Sequence, residues 1–277
     1  MDNLQIKYPI YIVSKGRYNN CITAKKFISD GINFKIAVEP QEYKNYCENI
    51  PSKYIYKLPF SNLGLGSYPA RNACWDDSIK NGYNKHFLFD DNIYGFYRVN
   101  NGIKENCSSK LAIVTLQELT NKFTNVPLSG FNYGMFITKA ISKPYFFNVH
   151  VYSGMLIDNS MPWRWRMKYN EDVDLSLQVL HNKKCTILLN AFVIKKVSTT
   201  AKMKGGNQTE LYKNNDIGKK ILKTKSLQLV WPQYVKIIYK YGRPHHQVSW
   251  NKFFKHPLKL NKCGVLPQKE HQPHETF

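Results

Sequence analysis

Short apolar runs alternate with longer amphipathic stretches along the first half of the chain, the pattern that successive βα units leave in a sequence. Pro9-Ile10-Tyr11-Ile12-Val13 reads as a buried strand, and Ser14-Lys15-Gly16-Arg17 as the turn after it. Ala24, Phe27 and Ile28 keep helical spacing across residues 19–30, and Gly31 suits a helix stop. Residues 34–38 form the second expected strand, closed by Glu39-Pro40. A helix over 41–48 and a short strand over 53–58 follow.

A glycine-rich loop, Leu63-Gly64-Leu65-Gly66-Ser67-Tyr68, then enters a helix that starts near Pro69, a favourable first-turn proline. That helix runs to about Gly82 and delivers the chain into a strand ending at Asp90. Further on, residues 112–122 read as helix, while 131–138, 145–151 and 185–194 read as strands. Val173, Leu177 and Leu180 give residues 170–181 an amphipathic helical face. A basic loop over 199–208 and a helical run near 215–229 come last before a polar tail. This order predicts a doubly wound, Rossmann-like sheet with right-handed crossovers.

The strand Lys85-His86-Phe87-Leu88-Phe89 ends in Asp90-Asp91-Asn92. Two carboxylates at the mouth of a buried strand repel each other and lose solvation unless a cation or donor compensates. Hard oxygen ligands suit Mg²⁺ or Mn²⁺, and ligands of open α/β sheets bind beyond the carboxyl ends of strands. A metal site holding a phosphorylated substrate is one reading; an Asx-type turn is the other. Asn170-Glu171-Asp172-Val173-Asp174 opens a helix, where acids also serve as caps. Following Trp163-Arg164-Trp165, these acids equally suit a substrate wall with a general base.

Residues 14–17 and 64–72 are candidate phosphate binders, through backbone N–H groups and Arg71. Neither is a P-loop, and no G-x-G-x-x-G follows the first strand, which disfavours nucleotide triphosphatases and dinucleotide oxidoreductases. Lys202-Met203-Lys204-Gly205-Gly206-Asn207 is either a solvated loop or a basic flap over a diphosphate. In Gly242-Arg243-Pro244-His245-His246-Gln247-Val248-Ser249-Trp250, a histidine could join a metal shell, or the segment could grip an acceptor.

Charge sharpens this picture. The chain has 277 residues and a formal charge of +21, and residues 195–262 hold 16 Lys or Arg against 2 Asp or Glu. Such asymmetry points to an anionic partner, nucleic acid first and a membrane surface second. Cys21, Cys47, Cys74, Cys107, Cys185 and Cys263 show no C-x-x-C spacing, so a zinc ribbon or dense disulfide framework is not expected. With no signal-peptide pattern and no membrane-length apolar run, the expectation is a cytoplasmic protein with reduced thiols and no membrane insertion. The expected organisation is a core over 1–195, a basic region over 196–260 completing the same domain, and a flexible tail over 261–277.

Together these pieces resemble the GT-A glycosyltransferase fold. More narrowly, the chain resembles the TET/JBP-associated glycosyltransferases of bacteriophages. The matching stretches are residues 9–17, 67–72, 87–92, 130–135, 170–175, 204–207 and 244–250. The resemblance implies an α/β fold, a GT-A-type, Rossmann-like mixed sheet flanked by helices with a basic C-terminal extension. It puts Asp90 and Asn92 in the D-x-D positions around Asp91, with Asp90, Asn92 and His245 expected to hold Mn²⁺ or Mg²⁺. Ser14, Gly16, Arg17, Glu39, Arg71, Asn72, Asp90, Asp91 and Lys204 are expected to bind the donor, a nucleotide sugar with UDP as the leading nucleotide. Asp172 falls where inverting enzymes of this fold place their base, with Glu171 beside it. Trp163, Arg164, Arg243, His246 and Trp250 are expected to meet the acceptor. The implied reaction moves a sugar onto the hydroxymethyl group of a modified pyrimidine, such as hydroxymethylcytosine, in double-stranded DNA. The alternatives are transfer to a glycan or protein, and a non-catalytic DNA-binding protein.

Overall fold

A computed structural model describes residues 4–139, 141, 143–196, 205–206, 217–240 and 242–261, with the backbone alone for 217–220. The chain opens with β1 (Ile10–Val13), α1 (Ile22–Ser29), β2 (Lys35–Val38), α2 (Tyr43–Cys47), β3 (Ile55–Lys57), α3 (Tyr68–Lys80) and β4 (Lys85–Asp90). These strands lie parallel in the order β3-β2-β1-β4, the half-sheet that the alternating pattern predicts.

The second half is mixed. It comprises β5 (Ile93–Asn100), β6 (Ile103–Cys107), α4 (Ser109–Asn121), β7 (Leu128–Tyr133), β8 (Tyr145–Phe147), β9 (Ser153–Asp158), α5 (Glu171–His181) and β10 (Thr186–Lys196). The complete ten-stranded sheet runs β3-β2-β1-β4-β9-β7-β10-β5-β6, with β8 also paired to β10. Strand β9 is antiparallel to both β4 and β7. A Rossmann-like mixed sheet flanked by helices is therefore correct, but only its first half is doubly wound.

The two-residue period of the strands sorts their side chains into two cores. Ile10, Ile12, Phe87 and Phe89 face α1 and α4, packing with Phe27 and Ile113. Tyr11 and Leu88 point the other way, to Trp75 of α3 and to Leu175 and Val179 of α5. Fully buried rings such as Phe89 and Trp75 dominate these layers, and truncating one to alanine costs about 3–5 kcal/mol.

One feature of the topology sets up the cleft. After β4 the chain crosses to β5, which lies against the end of β10, with Ile93 paired to Lys196. Buried Thr23 in the first turn of α1 holds this corner. Its Oγ1 donates to the Asp90 carbonyl (2.6 Å) and accepts the Ile93 N–H (2.9 Å), while its own N–H donates to the Asp91 carbonyl (3.2 Å).

The last described helix and strands are α6 (Ile217–Val230), β11 (Val235–Lys240) and β12 (Arg243–Val248). Leu227, Trp231, Val235 and Val248 pack on Val173, Leu177 and Leu180 of α5. Several strands escape the sequence pattern: β5, β6, β9 and the β11–β12 hairpin. Strand β6 is almost wholly exposed, and Arg-Pro-His-His-Gln-Val in β12 has no apolar alternation, so pairing rather than burial defines them. The expected strand at 131–138 instead starts at Leu128 and ends at Tyr133, passing into a 3₁₀ turn over Gly134–Phe136. The expected strand at 145–151 shortens to β8. No described helix is long and apolar enough to cross a membrane, and the expected tail falls almost entirely outside the described residues.

Candidate active site

Beyond the carboxyl ends of β1 and β4 lies a cleft of about 430 Å³. Ser14, Arg17, Glu39, Arg71, Asp90, Asp91, Asn92, Glu171, Asp172 and His246 line it, all of them expected site residues. The local sequence explains how each arrives there.

Asp91 faces the β1 turn. One carboxylate oxygen pairs with the Arg17 guanidinium and the other accepts the Ser14 hydroxyl (2.6 Å). Burial pushes this carboxyl upward, with Arg17 and Ser14 opposing. Asp91 is 3% exposed, so its position is that of a clamp on the 14–17 loop. Glu39 accepts Lys15 Nζ at 2.9 Å and the Asn62 N–H at 2.9 Å. Gly16 donates its N–H to Glu42 (2.8 Å) at the rim. Gly206 closes on the same loop, its N–H donating to the Lys15 carbonyl at 2.6 Å. Gly205 has φ +86°, and a side-chain carbon there would collide with the Gly16 carbonyl, so glycine is what permits the approach.

Asp90 is the strand-end carboxylate that faces the cleft. Its Oδ1 accepts Arg71 Nη2 (3.0 Å), and its Oδ2 accepts Lys196 Nζ (2.8 Å) and Ser153 Oγ (2.9 Å). Burial alone would raise this carboxyl, but Lys196 and Arg71 outweigh it and hold it well below the usual carboxylate range. Ser153 sits next to Gly154, where a side-chain carbon would lie 2.7 Å from Ile194 and 2.9 Å from Phe89 and Phe131. Glycine thus lets β9 approach closely enough to bring Ser153 to Asp90.

Arg71 ties this strand end to helix α5. Its Nη2 is 3.6 Å from Glu171 Oε1, its Nε donates to Ser67 Oγ (3.1 Å), and Ser67 Oγ donates to Glu171 Oε1 (2.8 Å). The guanidinium also stacks over Trp165, 4.9 Å from the ring centre. Asn170 precedes α5 in the left-handed region (φ +54°), and its side chain donates to the Lys223 carbonyl (2.8 Å) rather than capping the helix. Glu171 and Asp172 then open into the cleft. Asp174 turns away, fully buried, to pair with Arg166 through two 3.0 Å contacts and to accept Trp231 Nε1 (2.7 Å). Burial together with neighbouring Asp172 raises the Glu171 carboxyl against the pull of Arg71. For Asp172, burial is outweighed by His150, whose Nε2 lies 3.1 Å from Oδ2, and the carboxyl is lowered.

Ser67 lines the cleft within the expected 64–72 stretch, while Tyr133, His150, Tyr152, Lys168, Lys196 and Lys223 receive no role from the sequence. His150 is a lone histidine in an apolar stretch, which gives no signal. Lys196 leaves a faint one, as the lysine continuing a buried strand. Tyr133 and Tyr152 are each pushed up to about 12 by burial, so both remain phenols at neutral pH. Burial presses His246 down to about 4, leaving it neutral.

Other expected residues stand elsewhere. Asn72 donates to the Trp165 carbonyl (2.8 Å) and accepts its N–H (3.2 Å), pinning the 163–166 segment to α3. Arg164 stacks on Trp75, 4.5 Å from the ring centre, and donates to the Met161 carbonyl (2.6 Å). Trp163 packs onto the same core. Side chains alternate along β12, so His246 lines the cleft and His245 does not; His245 Nε2 accepts from Arg243 Nε (3.2 Å). Arg243 is exposed on the hairpin. Trp250 reaches the cleft only by stacking on His150, with ring centres 5.8 Å apart and planes 3° from parallel. Lys204 lies outside the described residues.

The expected metal ligands do not assemble. Both oxygens of Asp90 and of Asp91 are engaged by cations and hydroxyls, and His245 faces away from the cleft. Asn92 Oδ1 is buried without a partner among the described residues and is the one open oxygen of the motif. A single neutral oxygen does not suit a hard divalent ion, which takes carboxylates. Among the described residues, no three His, Cys, Asp or Glu side chains gather as a metal site.

Among solved structures, the chain is similar to one described as a nucleotide-diphospho-sugar transferase from Desulfovibrio desulfuricans G20. The two share 10% identity and a TM-score of 0.35, over 67% of this chain and 80% of the other. No curated protein is similar enough in sequence to match. The family described as TET-Associated Glycosyltransferase matches residues 8–206, a span that takes in β1 through β10 and every cleft residue except Lys223 and His246. On that match the chain belongs to the TET-associated glycosyltransferase family, and it is a glycosyltransferase.

Proposed function

We propose that the cleft takes a sugar from a nucleotide-sugar donor and transfers it to the hydroxymethyl group of a modified pyrimidine in DNA. The observation that carries this reading is Arg71. It joins the strand-end carboxylate Asp90 to the helix acid Glu171, so donor chemistry and acid–base chemistry share one cleft. In the transfer, the bond between the anomeric carbon and the diphosphate oxygen breaks, and its electron pair leaves with the nucleoside diphosphate. The acceptor hydroxyl oxygen bonds to the anomeric carbon, and its proton passes to Asp172, beside His150. Cations aimed at the departing diphosphate stabilise the charge that develops there.

The DNA acceptor is supported by charge and position. The β11–β12 hairpin presents exposed Lys236, Lys240 and Arg243 on the strand pair that sends His246 into the cleft. Such a face suits a phosphate backbone passing the mouth of the site, and its affinity falls as salt rises. Transfer to a glycan or protein needs no such face.

The test is incubation with a panel of nucleotide sugars and hydroxymethylated double-stranded DNA, followed by digestion and nucleoside mass analysis. A nucleoside heavier by one sugar residue supports the reading. Consumption of the donor with a glycan acceptor but not with DNA rejects the DNA assignment.

A further inference from the structure

The cleft carries its own countercharge. Its lining includes six Lys or Arg side chains (Lys15, Arg17, Arg71, Lys168, Lys196 and Lys223) against five Asp or Glu (Glu39, Asp90, Asp91, Glu171 and Asp172). The acids are thus already matched. A divalent ion held with substrate phosphates still takes one or two carboxylates, and here both oxygens of the strand-end Asp90 already face cations. Lys196 is the most telling of the cations. Its ammonium lies 2.8 Å from Asp90 Oδ2, against the strand-end carboxylate that a bound divalent ion would take. The ammonium also lies 5.1 Å from the centre of the Tyr133 ring and donates to the Tyr133 hydroxyl at 3.3 Å. Only 12% of the side chain is exposed, and what is exposed opens to the cleft. The Arg71 guanidinium also lines the cleft and contacts the other Asp90 oxygen at 3.0 Å, and a guanidinium is suited to phosphate oxygens.

We propose that Lys196 and Arg71 take the place of a divalent cation, so that the departing diphosphate is neutralised by these side chains and transfer proceeds without metal. This rests on the nucleotide-sugar reading above. When the donor binds, its phosphate oxygens become additional acceptors for the Lys196 ammonium and the Arg71 guanidinium, and Asp90 keeps both cations aimed at the bond that breaks. The electron pair of the broken carbon–oxygen bond stays on the diphosphate, where these two cations stabilise it.

The experiment measures calorimetric binding of UDP, GDP, ADP and CDP to the full chain, in EDTA and in Mn²⁺, alongside sugar transfer in the same buffers. The expected result is that one nucleoside diphosphate binds within about threefold of the same affinity in both buffers, and that transfer survives EDTA. Lys196→Met should lose about 100-fold in transfer, the size of effect seen on removing a preorganised charge-stabilising donor. Lys196→Arg should restore much of it. The unmutated protein decides the question even if Lys196→Met fails to fold. Binding that appears only with Mn²⁺ overturns the proposal and leaves the nucleotide-sugar reading standing. Binding of no nucleoside diphosphate in either buffer overturns both.

Discussion

His150 Nε2 lies 3.1 Å from Asp172 Oδ2, and the Trp250 ring stacks parallel to the same imidazole, with ring centres 5.8 Å apart. The pair brings a residue of the loop before β9 to the first turn of α5. If Asp172 receives the acceptor proton, His150 orients it and shares the charge. Asp172→Asn should therefore lower transfer by about 10²–10⁴-fold, the range of positioned acid–base groups, with nucleotide binding unchanged. His150→Asn should lower transfer and also displace the pH dependence of kcat. Calorimetry with a nucleoside diphosphate and a pH–rate profile of each variant check this; equal losses of binding and transfer would contradict it.

Asp91 and Arg17 form an ion pair that is almost wholly out of solvent, with side chains 4% and 8% exposed. Removing one partner leaves the other charge buried and uncompensated. Arg17→Ala should destabilise the fold by about 3–5 kcal/mol, read from urea denaturation midpoints. A loss below about 1 kcal/mol, the worth of an exposed pair, would mean that solvent reaches Asp91.

Two histidines titrate far from their ordinary range. Burial lowers His86 to about 4 and His246 to about 4, from 6.5. Between those values the unfolded chain binds protons that the folded chain refuses, so stability must fall as pH falls from 6.5 towards 4. Thermal melting from pH 8 to 4 should show the midpoint declining through that window. His246→Gln should flatten part of the decline.

Gly205 rests against the Gly16 carbonyl at φ +86°. Gly205→Val should push Gly205 and Gly206 off the 14–17 turn, whose Ser14, Lys15 and Arg17 line the donor side of the proposed site. The expected outcome is a raised KM for the sugar donor with a melting temperature within a few degrees of the unmutated protein. Unchanged donor KM would show that this contact has no part in donor binding.

The local elements that carry the site were legible in the sequence. Short continuous apolar runs mark β1, β2 and β4, which are buried on both faces, and the proline and glycines around the start of α3 mark its entry, because burial patterns and backbone preferences act within a few residues. The same locality explains why Asp90, Asp91, Arg71 and Glu171 stood out: each sits at the end of a recognisable element. Where the sequence misled, the cause was facing. Asn72 and Asp174 lie beside cleft residues on their helices, yet they turn to Trp165 and Arg166. Strand alternation gives the cleft His246 in place of His245.

What the sequence determined by itself was therefore the half-sheet, the acidic strand end and the basic character of the last third. The tertiary structure alone decided what balances Asp90. Lys196 meets it across 106 residues of chain, because β5 and β10 pair in a register that brings the end of β10 back to β4. His150 meets Asp172 in the same way, through packing of the loop before β9 against α5. Charge pairing depends on distances of a few ångström, and such distances between remote segments are set by register and packing, not by any pattern within either segment.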